Sequence, residues 1–237
     1  MKPRADPGDI VAAGYDELGD RFERWAAMVH DPVRDRLFDQ LLERLPDRAP
    51  VLDVGCGSGI PWTARLAERF EVTGIDISPR QVEAARRAVP RATVLVGDIV
   101  RAEFPAASFD GAVALYSVGH LPAAAQEPVL GRLAGWLRPG GLLLASLPAT
   151  REVGWTGPWI DGVEMFFASL GAARYHEILD RQGWRLLEAI DGIVREPEGP
   201  ARFLWVLAQA PVLGRAGPPG AEAAPPGSVS RRASARR

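Results

Sequence analysis

The stretch Val51-Leu52-Asp53-Val54-Gly55-Cys56-Gly57-Ser58-Gly59 joins a mostly apolar run to a glycine-rich turn. A short apolar run that ends in glycine predicts a buried strand, and a helical pattern from Ile60 to Phe70 follows it directly. Glycines in such a turn let the backbone approach a ligand closely and leave N–H groups free to bind it. The stretch therefore predicts an α/β fold with a ligand site at the carboxyl end of its first strand.

The spacing of the glycines narrows the class of ligand. The dinucleotide pattern G-x-G-x-x-G fails because Ile60 stands where its last glycine belongs, and no phosphate-binding P-loop motif occurs. Asp76 ends the next predicted strand, where a carboxylate can accept both hydroxyls of an adenosine ribose. The turn thus favours an adenosine-containing ligand other than a nicotinamide or flavin dinucleotide.

Strands and helices alternate along the chain, which predicts a doubly wound, mostly parallel sheet of seven strands with a final antiparallel strand. The predicted strands are Val51–Val54, Val72–Ile75, Thr93–Val96, Gly111–Leu115, Leu142–Leu147, Trp184–Ile190 and Phe203–Ala208. The predicted helices are Asp9–Val29, Pro32–Leu45, Ile60–Phe70, Pro79–Ala88, Gln126–Leu137 and Ala172–Gln182. A polar stretch, Asp191 to Pro200, is expected to join the last two strands as a loop.

The pattern divides the chain into three parts. Residues 1–48 are predicted to form an amino-terminal helical cap, and residues 49–213 the ligand-binding domain. Within that domain, residues 148–171 form an aromatic insertion before the sixth strand. Residues 214–237 are rich in Gly, Pro and Arg and almost lack large apolar side chains, so they are predicted to be disordered.

Composition excludes several classes of protein. The 237 residues include 28 basic and 30 acidic side chains, with a pI near 6.0, so no nucleic-acid partner is expected. The single cysteine, Cys56, excludes an internal disulfide, and no Cys/His cluster predicts a metal. No apolar run is long enough for a signal peptide or a membrane span. We expect a cytoplasmic protein, monomeric or homodimeric, with a small-molecule partner and no membrane partner.

Five motifs in order extend the first stretch, namely VLDVGCGSG, VTGIDIS, VGDI, FDGAVALYSVGHLP and LRPGGLLLASLP, between Val51 and Pro148. Together they resemble the class I, Rossmann-like S-adenosylmethionine (SAM) dependent methyltransferases. YDELGDRFERW and ARFLWVLAQ are similar to a bacterial small-molecule branch of that superfamily. The resemblance implies SAM as the cofactor and S-adenosylhomocysteine as its product. Methylation of nucleic-acid bases is disfavoured, because Leu115-Tyr116-Ser117-Val118 replaces the expected Asn/Asp-Pro-Pro-aromatic turn.

The resemblance also implies a set of cofactor-binding residues. The methionyl end of SAM would be surrounded by Asp53, Gly55, Cys56 and Gly57, and the ribose would be held by Asp76. The adenine would pack on Ile77 and Ile99, and its amino group would be reached by Asp98. Leu115 would lie near the ligand, and Tyr15 would close over the sulfonium. Taken singly, Asp53 could instead end a strand and Asp98 could lie in an ordinary loop. Cys56 is interpreted as a small buried residue of the turn and not as a nucleophile.

The acceptor side is predicted from residues beyond the fourth strand. His120 is the candidate general base, with a structural or cofactor contact as the alternative, and Tyr116 and Glu164 are secondary candidates. The aromatic insertion and the cap are expected to form a lid over the acceptor, and the predicted lid residues are Trp25, Trp155, Trp159 and Phe166. Phe166 and Phe167 could equally be core residues. The function predicted is methyl transfer to a hydroxyl of an aromatic or apolar metabolite. N- or S-methyl transfer and a non-catalytic SAM-binding subunit are the alternatives.

Overall fold

A computed structural model describes residues 6–212. Its strands are β1 (Pro50–Val54), β2 (Glu71–Asp76), β3 (Thr93–Val96), β4 (Phe109–Ala114), β5 (Leu137–Pro148), β6 (Glu152–Pro158), β7 (Glu164–Ser169), β8 (Arg185–Glu196) and β9 (Gly199–Gln209). Its α-helices are α1 (Pro7–Leu18), α2 (Asp20–Ala26), α3 (Pro32–Arg44), α4 (Trp62–Ala67), α5 (Pro79–Ala88), α6 (Ala123–Trp136) and α7 (Ala172–Arg181). The predicted tail, residues 214–237, lies outside the described residues.

Seven strands form the main sheet in the order β3-β2-β1-β4-β5-β9-β8. β1 pairs in parallel with both β2 and β4, and β9 runs antiparallel between β5 and β8. This confirms the predicted doubly wound sheet with an antiparallel strand. The order reverses between β1 and β4, and open sheets of this kind bind ligands at the carboxyl ends of the strands beside such a switch point.

Apolar side chains alternate between the two faces of the sheet. Val51 packs towards α3 and α4, whereas Leu52 and Val54 pack towards α6 and α7. On β5, Leu142 and Leu144 join the first face and Leu143 and Ala145 join the second. Both faces of the central strands are therefore buried, which explains why these strands are apolar runs in the sequence.

The amino-terminal cap contains three helices where the sequence predicted two. The helix predicted from Asp9 to Val29 is interrupted and forms α1 and α2, and α3 follows them. Gly19 adopts a positive φ of 49° and a ψ of -130°, which separates α1 from α2. The Arg80 guanidinium packs against Gly19, where a Cβ atom would collide with it. The first helix thus ends at a glycine whose positive φ and close contact with Arg80 disfavour a larger residue, and the apolar period alone did not single this glycine out.

Two segments without predicted strands form hairpins. The aromatic insertion contains β6 and β7, which pair with each other in a separate two-stranded sheet. The predicted loop from Asp191 to Pro200 was wrong, because β8 and β9 extend through it and pair as far as Glu196 and Gly199. Polar residues are compatible with these strand ends because β8 is the edge of the main sheet.

The cap, the β6–β7 hairpin and the tip of the β8–β9 hairpin share a third apolar cluster. Its buried members include Val11 and Leu18 of α1, Met165 of β7 and Val194 of β8. α1 also packs on the short 3-10 turn Val118–His120 that follows β4. This cluster therefore covers the carboxyl end of β4. Among residues 6–212, no helix is long and apolar enough to cross a membrane.

Candidate cofactor and acceptor site

The glycine turn is held against the end of β2 by backbone N–H groups. Gly55 N donates to the Ile75 carbonyl at 2.8 Å. The Asp76 carboxylate accepts from Gly57 N at 2.8 Å and from Ser78 N at 2.9 Å. Gly55 and Gly57 have φ values of 72° and 54°, a region that favours glycine. Asp76 therefore fixes the turn as well as lying where the sequence predicts a ribose contact.

Space and unpaired polar atoms border this turn. A Cβ atom at Gly57 would meet only Gln81 Oε1, at 4.0 Å. Ser117 lies on the other side, since its Cβ would be 2.5 Å from a Cβ placed at Gly55. Gln81 Oε1 and Ser117 Oγ are buried and have no hydrogen-bond partner within residues 6–212. A ligand with polar groups fits here, because it would satisfy atoms that are costly to leave unpaired. No spacing pattern in the sequence pointed to Gln81 or Ser117 as ligand contacts.

Asp53 is a buried carboxylate beneath the turn. Thr63 Oγ1 donates to Asp53 Oδ2 at 2.7 Å. Burial raises the pKa of Asp53 to about 6 against the effect of the Thr63 hydrogen bond, and the charge of Asp76 adds to the increase. Burial, with the charges of Asp53 and Asp76, also raises the pKa of the Cys56 thiol. A protonated thiol is a weak nucleophile, which supports the interpretation of Cys56 as a residue of the turn.

The predicted adenine contacts divide into two groups. The first turn of α1 lies over Ile77 and Asp98, since a Cβ atom at Gly8 would be 3.2 Å from Ile77 Cδ1 and 3.9 Å from Asp98 Oδ2. The Asp98 carboxylate accepts from Val100 N at 2.8 Å. Ile99, by contrast, is only 7% exposed and belongs to the core on the α6 and α7 face. Ile77 and Asp98 therefore share the covered side of the crevice, whereas Ile99 packs inward.

Tyr116 faces α3 and not the neighbourhood of His120. Its φ of 58° is unusual for a side chain of this size, and its N–H donates to Ser146 Oγ at 2.5 Å. The Tyr116 hydroxyl donates to Asp31 Oδ2 at 3.3 Å and accepts from Arg34 Nη1 at 3.5 Å. Leu115 packs on the same side, in the cluster with α3 and α4. The structure thus separates the two residues that the sequence placed together as catalytic candidates.

His120 lies in a chain of two hydrogen bonds. Its Nδ1 is 2.9 Å from the Phe166 carbonyl oxygen, and its Nε2 is 2.8 Å from the Tyr15 hydroxyl. Because a carbonyl can only accept, Nδ1 carries the proton, and Nε2 accepts from Tyr15. Burial lowers the pKa of His120 to about 4. The imidazole is therefore neutral at physiological pH and has its lone pair on Nε2.

Four further side chains surround Tyr15 and His120, and we call the six together the aromatic wall. Tyr15 and His120 have ring centroids 5.3 Å apart, Trp25 and Trp159 5.0 Å, and Trp159 and Phe167 5.4 Å. The members are Tyr15, Phe22, Trp25, His120, Trp159 and Phe167. Phe22 was missed in the sequence, although it lies three residues before Trp25 on one helix, a spacing that places both on the same face.

The predicted lid residues occupy different positions. Trp25 and Trp159 belong to the aromatic wall, whereas Trp155 is 44% exposed and stacks on Phe167 from outside, with centroids 5.8 Å apart. Phe166 is 7% exposed and packs in the core beneath the wall. It contributes its carbonyl oxygen to His120, so its backbone and not its ring reaches the site. Glu164 begins β7 as an exposed residue.

The tip of the β8–β9 hairpin adds negative charge beside the wall. Trp25 Nε1 donates to Glu198 Oε2 at 2.5 Å. Burial and the charge of Glu198 raise the pKa of Glu196 to about 7. The charges of Asp76 and Glu196 contribute to raising the pKa of Tyr15, after burial. Neither glutamate was singled out in the sequence, because both lie in the stretch interpreted there as a loop.

The described residues contain no group of three or more His, Cys, Asp or Glu side chains that could hold a metal ion. Two open surface hollows, about 630 and 580 Å³, lie along α3 and between α6 and α7. Neither is lined by the glycine turn or by the aromatic wall. The candidate chemistry is therefore concentrated at the carboxyl ends of β1, β2 and β4.

Residues 51–141 match the model of a methyltransferase-domain family. The chain is 33% identical over 208 residues to the methyltransferase GfsG of Streptomyces halstedii, covering 79% of this chain and 73% of that protein. It is 36% identical over 155 residues to 27-O-demethylrifamycin SV methyltransferase of Amycolatopsis mediterranei, with 56% of each chain covered. It thus spans just over half the length of some curated relatives.

A solved structure shows the same fold. It is the 1,6-didemethyltoxoflavin-N1-methyltransferase of Burkholderia thailandensis with bound 1,6-didemethyltoxoflavin and S-adenosylhomocysteine. The TM-score is 0.65 at 21% identity, and the match covers 89% of this chain and 93% of the other. Together with the sequence relatives, the fold and the glycine turn place this chain in the class I SAM-dependent methyltransferase family, whose cofactor is SAM.

Proposed function

We propose that this protein transfers the methyl group of SAM to a hydroxyl of a small aromatic or apolar metabolite. The observation that carries the proposal is the neutral His120, whose Nε2 lone pair accepts from the Tyr15 hydroxyl inside the aromatic wall just beyond β4. A neutral imidazole can accept the proton that a hydroxyl loses when it is methylated. The family gives the methyl donor, and this side chain favours oxygen as the methyl acceptor.

The cofactor site fits SAM through the residues around the turn. When bound, SAM supplies a methyl group on a positively charged sulfur. Asp53, Gly55 and Gly57 would hold its methionyl end, with Ser117 Oγ as a further polar contact. Asp76 would hold the ribose, and Ile77 and Asp98 would lie along the adenine. The carboxylates also place negative charge near a cationic cofactor, which favours its binding.

The acceptor side is apolar and carries no cation of its own in the aromatic wall. Flat rings offer contact area and exclude water from a small aromatic molecule. Glu196 and Glu198 make the border of the wall acidic, which disfavours a polycarboxylate acceptor. Similar proteins are named for rifamycin and toxoflavin derivatives, which are small molecules. These features support a neutral, small acceptor.

Matched acceptors test the proposal. The protein is incubated with methyl-labelled SAM and with a phenol, an aniline or a thiophenol, each carrying a para-ethyl group. We expect methylation of the phenol and little of the aniline. Methylation of the aniline or thiophenol alone would instead establish N- or S-methyl transfer. Calorimetry with S-adenosylhomocysteine measures the cofactor site separately, so binding without any methylated product would indicate a non-catalytic subunit.

A further inference from the structure

We propose that Tyr15 and His120 act as one proton relay, in which the Tyr15 oxygen contacts the acceptor hydroxyl and passes its own proton to His120 Nε2. This inference rests on the proposed O-methyl transfer and specifies the path of the proton. In a direct mechanism the acceptor would have to displace Tyr15 from His120. In the relay the hydrogen bond between Tyr15 and His120 is the second half of the path and stays in place.

The direction of the relay follows from the two hydrogen bonds of His120. The Phe166 carbonyl fixes the Nδ1 proton, so Nε2 must be the acceptor towards Tyr15. The Tyr15 proton therefore points at His120, and only the lone pairs of the Tyr15 oxygen remain for another donor. An acceptor hydroxyl is a donor of this kind.

The enclosure of His120 also favours Tyr15 as the contacting group. His120 is a buried member of the wall, 9% exposed, and its Nε2 is covered by the Tyr15 hydroxyl at 2.8 Å. His120 is further enclosed by Phe167, at 4.8 Å between ring centroids, and by Trp159, at 6.1 Å. Both ring nitrogens of His120 are thus occupied, and on the Nε2 side the Tyr15 oxygen is the atom left to contact a small molecule.

The relay balances atoms and charge. The acceptor oxygen forms a bond to the methyl carbon as the sulfur–methyl bond breaks and its electrons return to sulfur. The acceptor proton moves to the Tyr15 oxygen, and the Tyr15 proton moves to His120 Nε2. One positive charge disappears at sulfur and one appears on His120, whose Nδ1–H still donates to Phe166. Net charge in the site is unchanged, which limits the cost of a buried imidazolium.

The surroundings of Tyr15 favour a relay over a stable phenolate. Burial and the charges of Asp76 and Glu196 raise its pKa, so Tyr15 does not ionise on its own. It can still exchange one proton for another within a single step. The low pKa of His120 then lets the imidazolium lose the proton to solvent after transfer, which restores the starting state.

The kinetic test compares Tyr15→Phe, His120→Gln and the double variant on the para-ethyl phenol. Because the residues act as a unit, each single change should lower kcat about a hundredfold or more, and the double variant should be no slower than the slower single variant. His176→Gln is the matched control, since His176 is exposed on α7. If His120 acted directly, Tyr15→Phe would free its lone pair and preserve turnover, which would overturn the relay.

A spectroscopic test does not depend on activity. Nitrogen NMR of isotope-labelled histidine in the wild-type protein should show His120 as the Nδ1–H tautomer from about pH 5.5 to 8. Tyr15→Phe should shift the His120 Nε2 resonance and leave His176 unchanged. An Nε2-protonated or cationic His120 at neutral pH contradicts the relay. A wild-type protein that never methylates the phenol contradicts the proposed function itself, and with it the relay.

Discussion

At the scale of single residues, Asp53 shows that the site retains a charge which folding disfavours. Its carboxylate is 4% exposed and its pKa is raised to about 6, chiefly by burial. At low pH an acid whose pKa is raised in the folded state is protonated, and it does not lower the stability of the fold. Its unfavourable contribution grows as the pH rises from the ordinary value of 3.8 through about 6. A cationic ligand bound above the Asp53 carboxylate would offset this unfavourable contribution, which gives a reason for a buried acid at this position.

Asp53→Asn should therefore stabilise the protein at pH 8, by about 1 to 3 kcal/mol, because it removes the buried charge while Thr63 can still donate to the new amide oxygen. The gain should shrink towards zero near pH 4, and SAM affinity should fall. Urea unfolding at both pH values measures the stability. Asp180→Asn, at an exposed position on α7, is the control and should change little. Equal gains at both pH values would show that burial of charge is not the cause.

At the scale of elements, Asp16 joins α1 to the start of α5. The Asp16 carboxylate accepts from Ser78 Oγ at 2.5 Å and from Arg80 N at 3.1 Å, at the start of α5. Arg80 Nη1 also donates to the Asp16 carbonyl at 2.9 Å. Because Gly8 covers Ile77 and Asp98, a cofactor that binds at these proposed adenine contacts is expected to leave only when the first turns of α1 move.

Asp16→Ala should loosen this attachment and raise the rate constant for SAM dissociation about tenfold, since charge-assisted hydrogen bonds at a partly exposed position are worth roughly 1 to 2 kcal/mol. Stopped-flow displacement by S-adenosylhomocysteine measures the rate. Glu17→Ala is the control, because Glu17 is the next residue of the same helix and is exposed. An unchanged dissociation rate would mean that α1 does not gate the site.

Elements differed in how well the sequence predicted them. The helix Pro79–Ala88 was predicted with its observed bounds, because its start is encoded locally: Ser78 Oγ accepts from Gln81 N at 3.1 Å and Pro79 occupies the first turn. The β6–β7 hairpin was not predicted as strands. On β7, Met165, Phe166, Ala168 and Ser169 are all buried, so the burial lacks a period of two.

At the scale of the whole molecule, the described fold closes before the predicted tail. Gly140 N donates to the Ala210 carbonyl at 3.2 Å, and Ala210 N donates to the Gly141 carbonyl at 2.8 Å. β9 therefore is secured at its end by a reciprocal pair of backbone hydrogen bonds. The composition of residues 214–237 could not add an apolar core to this fold.

Deleting residues 214–237 should leave the Tm within about 2 °C and the SAM Kd within about twofold, because the last strand is already paired and the deleted segment has almost no large apolar side chain. Thermal unfolding and calorimetry measure the two quantities, with the full chain as the reference. An insoluble truncated protein, or one that does not bind SAM, would show that the domain boundary at residue 213 is misplaced.

The sequence by itself determined the sheet and the position of the cofactor turn. Both depend on neighbours in the chain: an apolar run, a glycine turn and a carboxylate at the end of the next strand, which the structure joins through Gly57 and Asp76. Only the tertiary structure decided the surroundings of the proposed base. Tyr15 meets His120 across 105 residues, and Phe166 supplies a carbonyl from a third element. Tyr116, four residues before His120, faces α3 instead. The hydrogen-bond partners of His120 are set by packing between segments that are distant in the chain, so no local sequence pattern predicts them.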